Sequence, residues 1–173
     1  MGNTTISVDS SKTSVDHVTV RIALAYDRLV KAFESELGRF DPVVAQSLVE
    51  RRASWNEAKQ TIARMAGPHG LMIIAVADQG VVTSLSGKAK RCVLYTVGNP
   101  VIANDIIDID PAASFYVPFR IALYETGDGT GAVIAYDRPS SFLAASGRPE
   151  LKPFGALLDQ KVDAVITAVT RAN

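Results

Sequence analysis

The chain is poor in the residues that most often announce a chemistry. Among its 173 residues there is one cysteine, Cys92, and there are two histidines, His17 and His69. A single cysteine rules out an internal disulfide, which fits a reducing compartment and argues against a small stapled secreted fold. Two histidines far apart in sequence, with no cysteine pair beside them, cannot supply the four nitrogen or sulfur ligands of a structural zinc site. Neither a metal nor a cofactor is expected. An excess of one charge is also lacking: Lys plus Arg is 18 and Asp plus Glu is 18. A nucleic-acid binder carries a basic surplus that releases counterions, so no nucleic-acid partner is expected. The short basic runs Arg51-Arg52 and Lys88-Ala89-Lys90-Arg91 read as solvated surface. No apolar run approaches the ~20 residues that cross a bilayer. The stretch from Met1 to Ser14 is polar and has no apolar centre of a secretory signal. The expected location is cytoplasmic, with no membrane partner.

What is present is material for a core. The composition is 47% hydrophobic and 21% charged, ordinary for a globular domain. At this length folding buries roughly two-thirds of the surface of the unfolded chain. Residues 1–14, rich in Ser, Thr and Asn, read as a flexible arm or as an added edge strand through Thr4, Ile6 and Val8. With no internal repeat and no low-complexity linker, residues 15–173 form one domain.

Val18, Val20, Ile22 and Leu24 alternate with Thr19, Arg21 and Ala23, the period of a half-buried strand. From Tyr26 the period lengthens, and Leu29, Val30, Phe33 and Leu37 share one helical face that Gly38 ends. Asp41-Pro42 caps and opens a second helix. Ser54-Trp55-Asn56-Glu57 has the spacing of a capping box for a third, which Gly67-Pro68 stops. Strands follow at Leu71–Ala77, Cys92–Val97, Phe115–Glu125 and Ala132–Tyr136, with a short helix after Pro100 and another after Pro139. The segment 81–90 fits no single period. A last helix from about Pro153 to Arg171 carries Phe154, Leu158, Val162, Val165 and Val169 on one face. Short links between strands favour antiparallel pairing. The fold class is therefore α+β, strand-helix-(four strands)-helix, a mainly antiparallel sheet with helices packed on one face.

The long strand has two unlike faces. Phe115, Val117, Phe119, Ile121 and Leu123 form the core side. Tyr116, Pro118, Arg120, Ala122 and Tyr124 form the other, which is unusually apolar for a solvated surface. Covering it calls for a second copy of the chain or for a pocket with a bound molecule.

Most chemical candidates have a plain architectural reading. Gly98-Asn99-Pro100 is a tight turn into a helix whose N-terminal N–H groups could hold an anion. Gly127-Asp128-Gly129-Thr130-Gly131 lies between two strands and so reads as a hairpin, since a phosphate loop needs a helix after it. Asp105, Asp108 and Asp110 lack the glycine and terminal glutamate of a calcium loop. Cys92 lies in a strand and reads as a small apolar residue. Ser140 and Ser141 read as a helix cap, with no base to make a nucleophile of either. Arg120, Glu125, Tyr136, Asp137 and Arg138 converge across a hairpin. They form either an ion pair holding the sheet or a site for an organic acid or for proton transfer.

Gly98-Asn99-Pro100, Pro118-Phe119-Arg120 with Ala122-Leu123-Tyr124-Glu125, Asp128-Gly129 with Tyr136-Asp137-Arg138-Pro139-Ser140-Ser141, and Leu158-Asp159-Gln160-Lys161 occur in this order. The ordered set resembles the family called domain of unknown function 302, over about residues 17 to 170. The resemblance implies a strand-helix-four-strand-helix fold, akin to helix-grip and TATA-binding-protein-like domains, usually dimeric, with no established activity to carry over. Where relatives often have a histidine this chain has Gln79, so an acid-base or metal role for that position does not transfer, because an amide does not titrate.

The leading expectation is a homodimer that binds a small organic, in one version anionic, ligand through Asn99, Arg120, Tyr136 and Asp137. The alternatives are a cofactor-independent enzyme using Asp137 or Glu125 as acid or base, and a structural or interaction module without a small-molecule site.

Overall fold

The computed structural model describes residues 6–88 and 90–171. Alternation of apolar and polar residues makes strand β1 (His17–Ile22), and mostly apolar runs make β3 (Met72–Asp78), β4 (Cys92–Gly98), β5 (Phe119–Glu125) and β6 (Ala132–Asp137). A two-residue strand β2 (Gly38–Arg39) joins the edge. The order across the sheet is β1-β6-β5-β4-β3-β2. Every pair is antiparallel except β2 with β3. Between β1 and β3 run α1 (Tyr26–Ser35), α2 (Pro42–Glu50) and α3 (Trp55–Met65). Then come α4 (Gln79–Ser84), α5 (Pro100–Ile109), α6 (Pro139–Ala144) and the long α7 (Lys152–Arg171).

A ten-residue helix such as α1 is marginal alone in water, so tertiary burial holds it. Leu29 and Phe33 of α1 and Leu158, Val162, Val165 and Val169 of α7 pack on Val93, Tyr95, Val97, Ile121, Leu123, Ile134 and Tyr136. Each fully buried Leu or Phe here contributes roughly 1.5–3 kcal/mol relative to exposure. The Phe33 and Tyr95 rings meet with centroids 5.2 Å apart.

The opposite sheet face is covered at Met72 and Val133, which are buried, and less covered elsewhere. Arg120, Ala75 and Ala77 are exposed, and Ala122, Tyr124, Ala135 and Leu94 are half-buried.

Several details depart from the sequence reading. The long strand starts at Phe119, not Phe115. Asp110 accepts the Ala112 N–H at 3.0 Å, and Pro111 opens a 3-10 turn over Pro111–Phe115. That wrap leaves Phe115, assigned to the core, 85% exposed, while Val117 stays buried. The Val117–Pro118 peptide is cis. Of the undecided segment 81–90, residues 81–84 belong to α4, because Asp78 accepts the Val81 N–H at 3.2 Å and so caps a helix, and residues 85–87 form a turn. Ile6 and Val8 are exposed and outside regular structure, so they add no strand; Thr4 lies outside the described residues. The capping box is half formed: Ser54 Oγ accepts the Glu57 N–H, but the Glu57 carboxylate turns to Arg51 at 2.6 Å. Strand β2 has only two residues, too few for a period to show. A Cβ on Gly38 would stand 1.8 Å from the Met65 carbonyl oxygen, so only glycine lets this backbone crossing form.

Candidate functional site

Two cavities with chemical potential flank the sheet, and the residues around them come from different elements. The first, about 430 Å³, opens beneath α5 at the end of β4 and β5. Its walls include Phe40, Ile74, Ile106, Phe119 and Leu158, and none of its lining residues is charged. Asn99 stands at its edge and makes three side-chain hydrogen bonds within the fold. Its Oδ1 accepts the N–H groups of Val101 and Ile102, and its Nδ2 donates to the Gly70 carbonyl at 2.9 Å. The Asn99 carbonyl accepts the Ala103 N–H, and Pro100 has none to offer. The N-terminal donors of α5 are therefore satisfied within the fold, and the anion site foreseen at this helix end is filled by Asn99 itself.

The second cavity, about 550 Å³, lies between α1, α4 and strands β3 and β4. At its floor the buried Tyr95 hydroxyl donates to Glu34 Oε1 at 2.9 Å, and Arg39 donates to Glu34 Oε2 at 2.9 Å. Burial and the Glu34 carboxylate push the Tyr95 phenol far up, so it stays a neutral donor. Tyr26 is also raised, chiefly by burial and then by Asp78. The Arg91 guanidinium lies 4.7 Å from the Tyr26 ring centroid and is paired with Asp27, with Glu125 at 3.8 Å.

The four residues expected to share a site do not converge. Tyr136 pairs across from Ile121, pointing with it into the helix-covered core, where its hydroxyl is 3.5 Å from Asp163. One position further along stand Arg120 and Asp137, on the opposite face. Asp137 bonds His17 Nδ1 at 2.8 Å. Arg120, exposed beside Thr96, forms no ion pair among the described residues. Glu125 turns toward Arg91 rather than Arg120. Period two explains the split: neighbouring residues of one strand face opposite ways.

The remaining motif residues tie elements together. Asp159 of α7 accepts the Ser140 N–H at 3.0 Å and the Ser140 hydroxyl at 2.6 Å, capping α6 from another helix. Arg138 reaches Asp163 at 3.3 Å. Lys161 donates to the His69 carbonyl at 3.1 Å, and His69 Nε2 meets Glu36 at 3.0 Å. Among the described residues no three His, Cys, Asp or Glu side chains gather as a metal site would require.

The family model described as "Domain of unknown function DUF302" matches residues 48–169. The chain belongs to the DUF302 family. Among solved structures, it is similar to the crystal structure of an uncharacterized conserved protein DUF302 from Bacillus stearothermophilus. The TM-score is 0.62 at 14% identity, and the match covers 90% of this chain and 99% of that one. At this identity the likeness is one of fold. No curated protein matches the chain.

Residues of three of the four motif groups that carried the resemblance line the first cavity: Gly98, Asn99 and Pro100, then Pro118 and Phe119, and Leu158 of α7, while the group from Asp128 to Ser141 lies away from it. The Glu34–Tyr95 pair escaped the sequence reading. One signal for it existed: Tyr95 sits in the core-facing row of β4, and a buried phenol needs a partner for its hydroxyl. Nothing in the sequence pointed to Glu34 as that partner, because the two are 61 positions apart.

Proposed function

We propose that this DUF302 domain binds a small, neutral, mainly apolar organic molecule in the cavity beneath α5. One observation carries the reading: three of the four motif groups of the family line a single cavity of about 430 Å³ with no charged wall residue. That volume falls within the range of ordinary small-molecule pockets, and apolar walls with a few polar groups are their usual chemistry. A charged ligand would leave water with nothing in the lining to pair with, at a cost of several kcal/mol. The α5 N–H groups cannot compensate, because Asn99 holds them.

The test uses N-phenyl-1-naphthylamine, a neutral apolar fluorophore, against an anionic naphthalene sulfonate. The neutral probe should bind with enhanced fluorescence and the anion at least tenfold more weakly. Ala103, half-buried in the wall, becomes the plug: Ala103→Trp should weaken the neutral probe at least tenfold while the melting temperature holds. Equal affinity in Ala103→Trp and the parent would sink the reading.

The same reading includes a homodimer through the less covered sheet face. Ala122, Tyr124, Ala135 and Leu94 give that face its apolar centre. Arg120 on it lacks an intramolecular ion pair among the described residues, and Asp137 stands beside it at the level of His17. In an isologous contact each Arg120 can meet the Asp137 of the other copy, and complementary charge then sets the register.

A further inference from the structure

The cavity between α1, α4 and β3–β4 is separate from the one beneath α5 and has the opposite character. We propose that it is a second binding site, for a small protonated organic amine with a hydrocarbon or aromatic body.

The geometry supplies what an ammonium group and its body need. Glu34 from α1 and Asp78 from the end of β3 both line the space of about 550 Å³. The half-buried Tyr26 ring forms an aromatic wall, with Arg91 over the ring, Val76 supplies exposed hydrocarbon, and the buried Tyr95 and Val93 lie behind them. Aromatic rings with carboxylates beside them attract a cation through both the ring quadrupole and the full negative charge. A molecule of moderate size is held by the walls, and its charged end is held by the acids.

The charge balance favours a cation over an anion. Three acids, Asp27, Glu34 and Asp78, line the space against two bases, Lys90 and Arg91. Arg91 is committed at the mouth: it lies on Tyr26, pairs with Asp27 and has Glu125 at 3.8 Å. An anionic ligand would have to draw it away from both acids. Asp78 takes only the Val81 N–H at 3.2 Å and enters no ion pair among the described residues. Glu34 shares its charge with Arg39 on one oxygen and takes the Tyr95 hydroxyl on the other. The acidic field reaches the rings, since Asp78 helps raise the Tyr26 phenol and Glu34 helps raise that of Tyr95. Both phenols remain neutral, so the full negative charge facing an ammonium comes from the carboxylates.

The apolar lining agrees. Val76 and Val81 line the space and stand exposed. An apolar tail leaving the cavity would lie on Val76 and Val81 and remove them from water.

The experiment measures binding of 3-phenylpropylammonium, 3-phenylpropanol and 3-phenylpropionate to the full chain by calorimetry. These probes share a body and differ in the charge of the head. The ammonium should bind at least tenfold more tightly than the other two. Asp78→Asn keeps an N-cap acceptor for α4, because asparagine caps as well as aspartate, and should weaken the ammonium at least tenfold. Glu34→Gln, which keeps an acceptor for the Tyr95 hydroxyl, should weaken it several-fold and decides the matter if Asp78→Asn does not fold. Ala103→Trp, in the other cavity, should leave ammonium binding unchanged, so the two sites fail or survive separately. No ammonium binding at millimolar concentration, equal binding of all three probes, or undiminished affinity in both acidic-site variants would each overturn the proposal.

Discussion

At the level of single residues, side chains that look reactive are held by the backbone. Asn99 is the plainest case: a polar residue after a strand and before a helix invites a ligand, yet its three side-chain hydrogen bonds all go to main-chain groups. Asp128, in the β5–β6 turn, behaves likewise. Thr126 Oγ1 donates to it at 2.6 Å and the Thr130 N–H at 3.1 Å, and these bonds hold its carboxyl at about 2, below the ordinary 3.8. A lowered folded value favours the native state above the unfolded value and loses that contribution as pH falls toward 2. Carbon-detected NMR should therefore place the Asp128 midpoint near 2. In Thr126→Val, which removes the first donor, the midpoint should move up toward 3.8. An unchanged midpoint in that variant would assign the shift to Thr130 and the backbone.

At the level of elements, the motifs make joints. Helix α6 has six residues, too few to be stable alone, and Arg138 at its N-cap makes no side-chain capping bond. Asp159 of α7 supplies the cap across space. The joint needs the two helices to touch, and Gly155 permits it: a Cβ there would stand 2.7 Å from Ser140 Cα, a backbone atom that cannot swing aside. Gly155→Ala should cost about 1–3 kcal/mol by overpacking, despite the higher helix propensity of alanine. Asp159→Ala should cost about 0.5–2 kcal/mol through the lost cap. Urea titration of both variants checks the order of magnitude. A stabilised Gly155→Ala would show that α6 and α7 can part without loss.

For the whole molecule, one sheet face is packed by α1 and α7; the other buries Met72 and Val133 and leaves alanines, Leu94, Tyr124 and an Arg120 without an ion pair among the described residues less covered. A second copy covering that face should bury over ~1,000 Å² in total. Light scattering at micromolar concentration should give twice the 18.5 kDa of one chain. Arg120→Glu, which sets like charges against Asp137 across the two-fold axis, should return the mass to that of one chain with little change in the circular dichroism spectrum. A parent protein of single-chain mass would exclude the dimer.

Local information in the chain determined the class of fold, because periods, caps and turns act over a few residues. Alternation at Val18–Leu24, the Asp41-Pro42 cap, the Gly67-Pro68 stop and the broad apolar face of α7 are all legible in the amino-acid sequence. The α+β order and the core face of β5 from Phe119 onward follow from them. Contacts between distant positions were decided only by tertiary structure. The 3-10 wrap at Pro111–Phe115, the Gly38 crossing and the pairing of β1 with β6 depend on neighbours far away in sequence. So does the site. Arg120, Tyr136 and Asp137 are close in the strand register yet divided between two faces, while Glu34 and Tyr95 meet across 61 positions. Sequence spacing reports which face of its own element a side chain takes; the packing of one element on another decides what that side chain then touches.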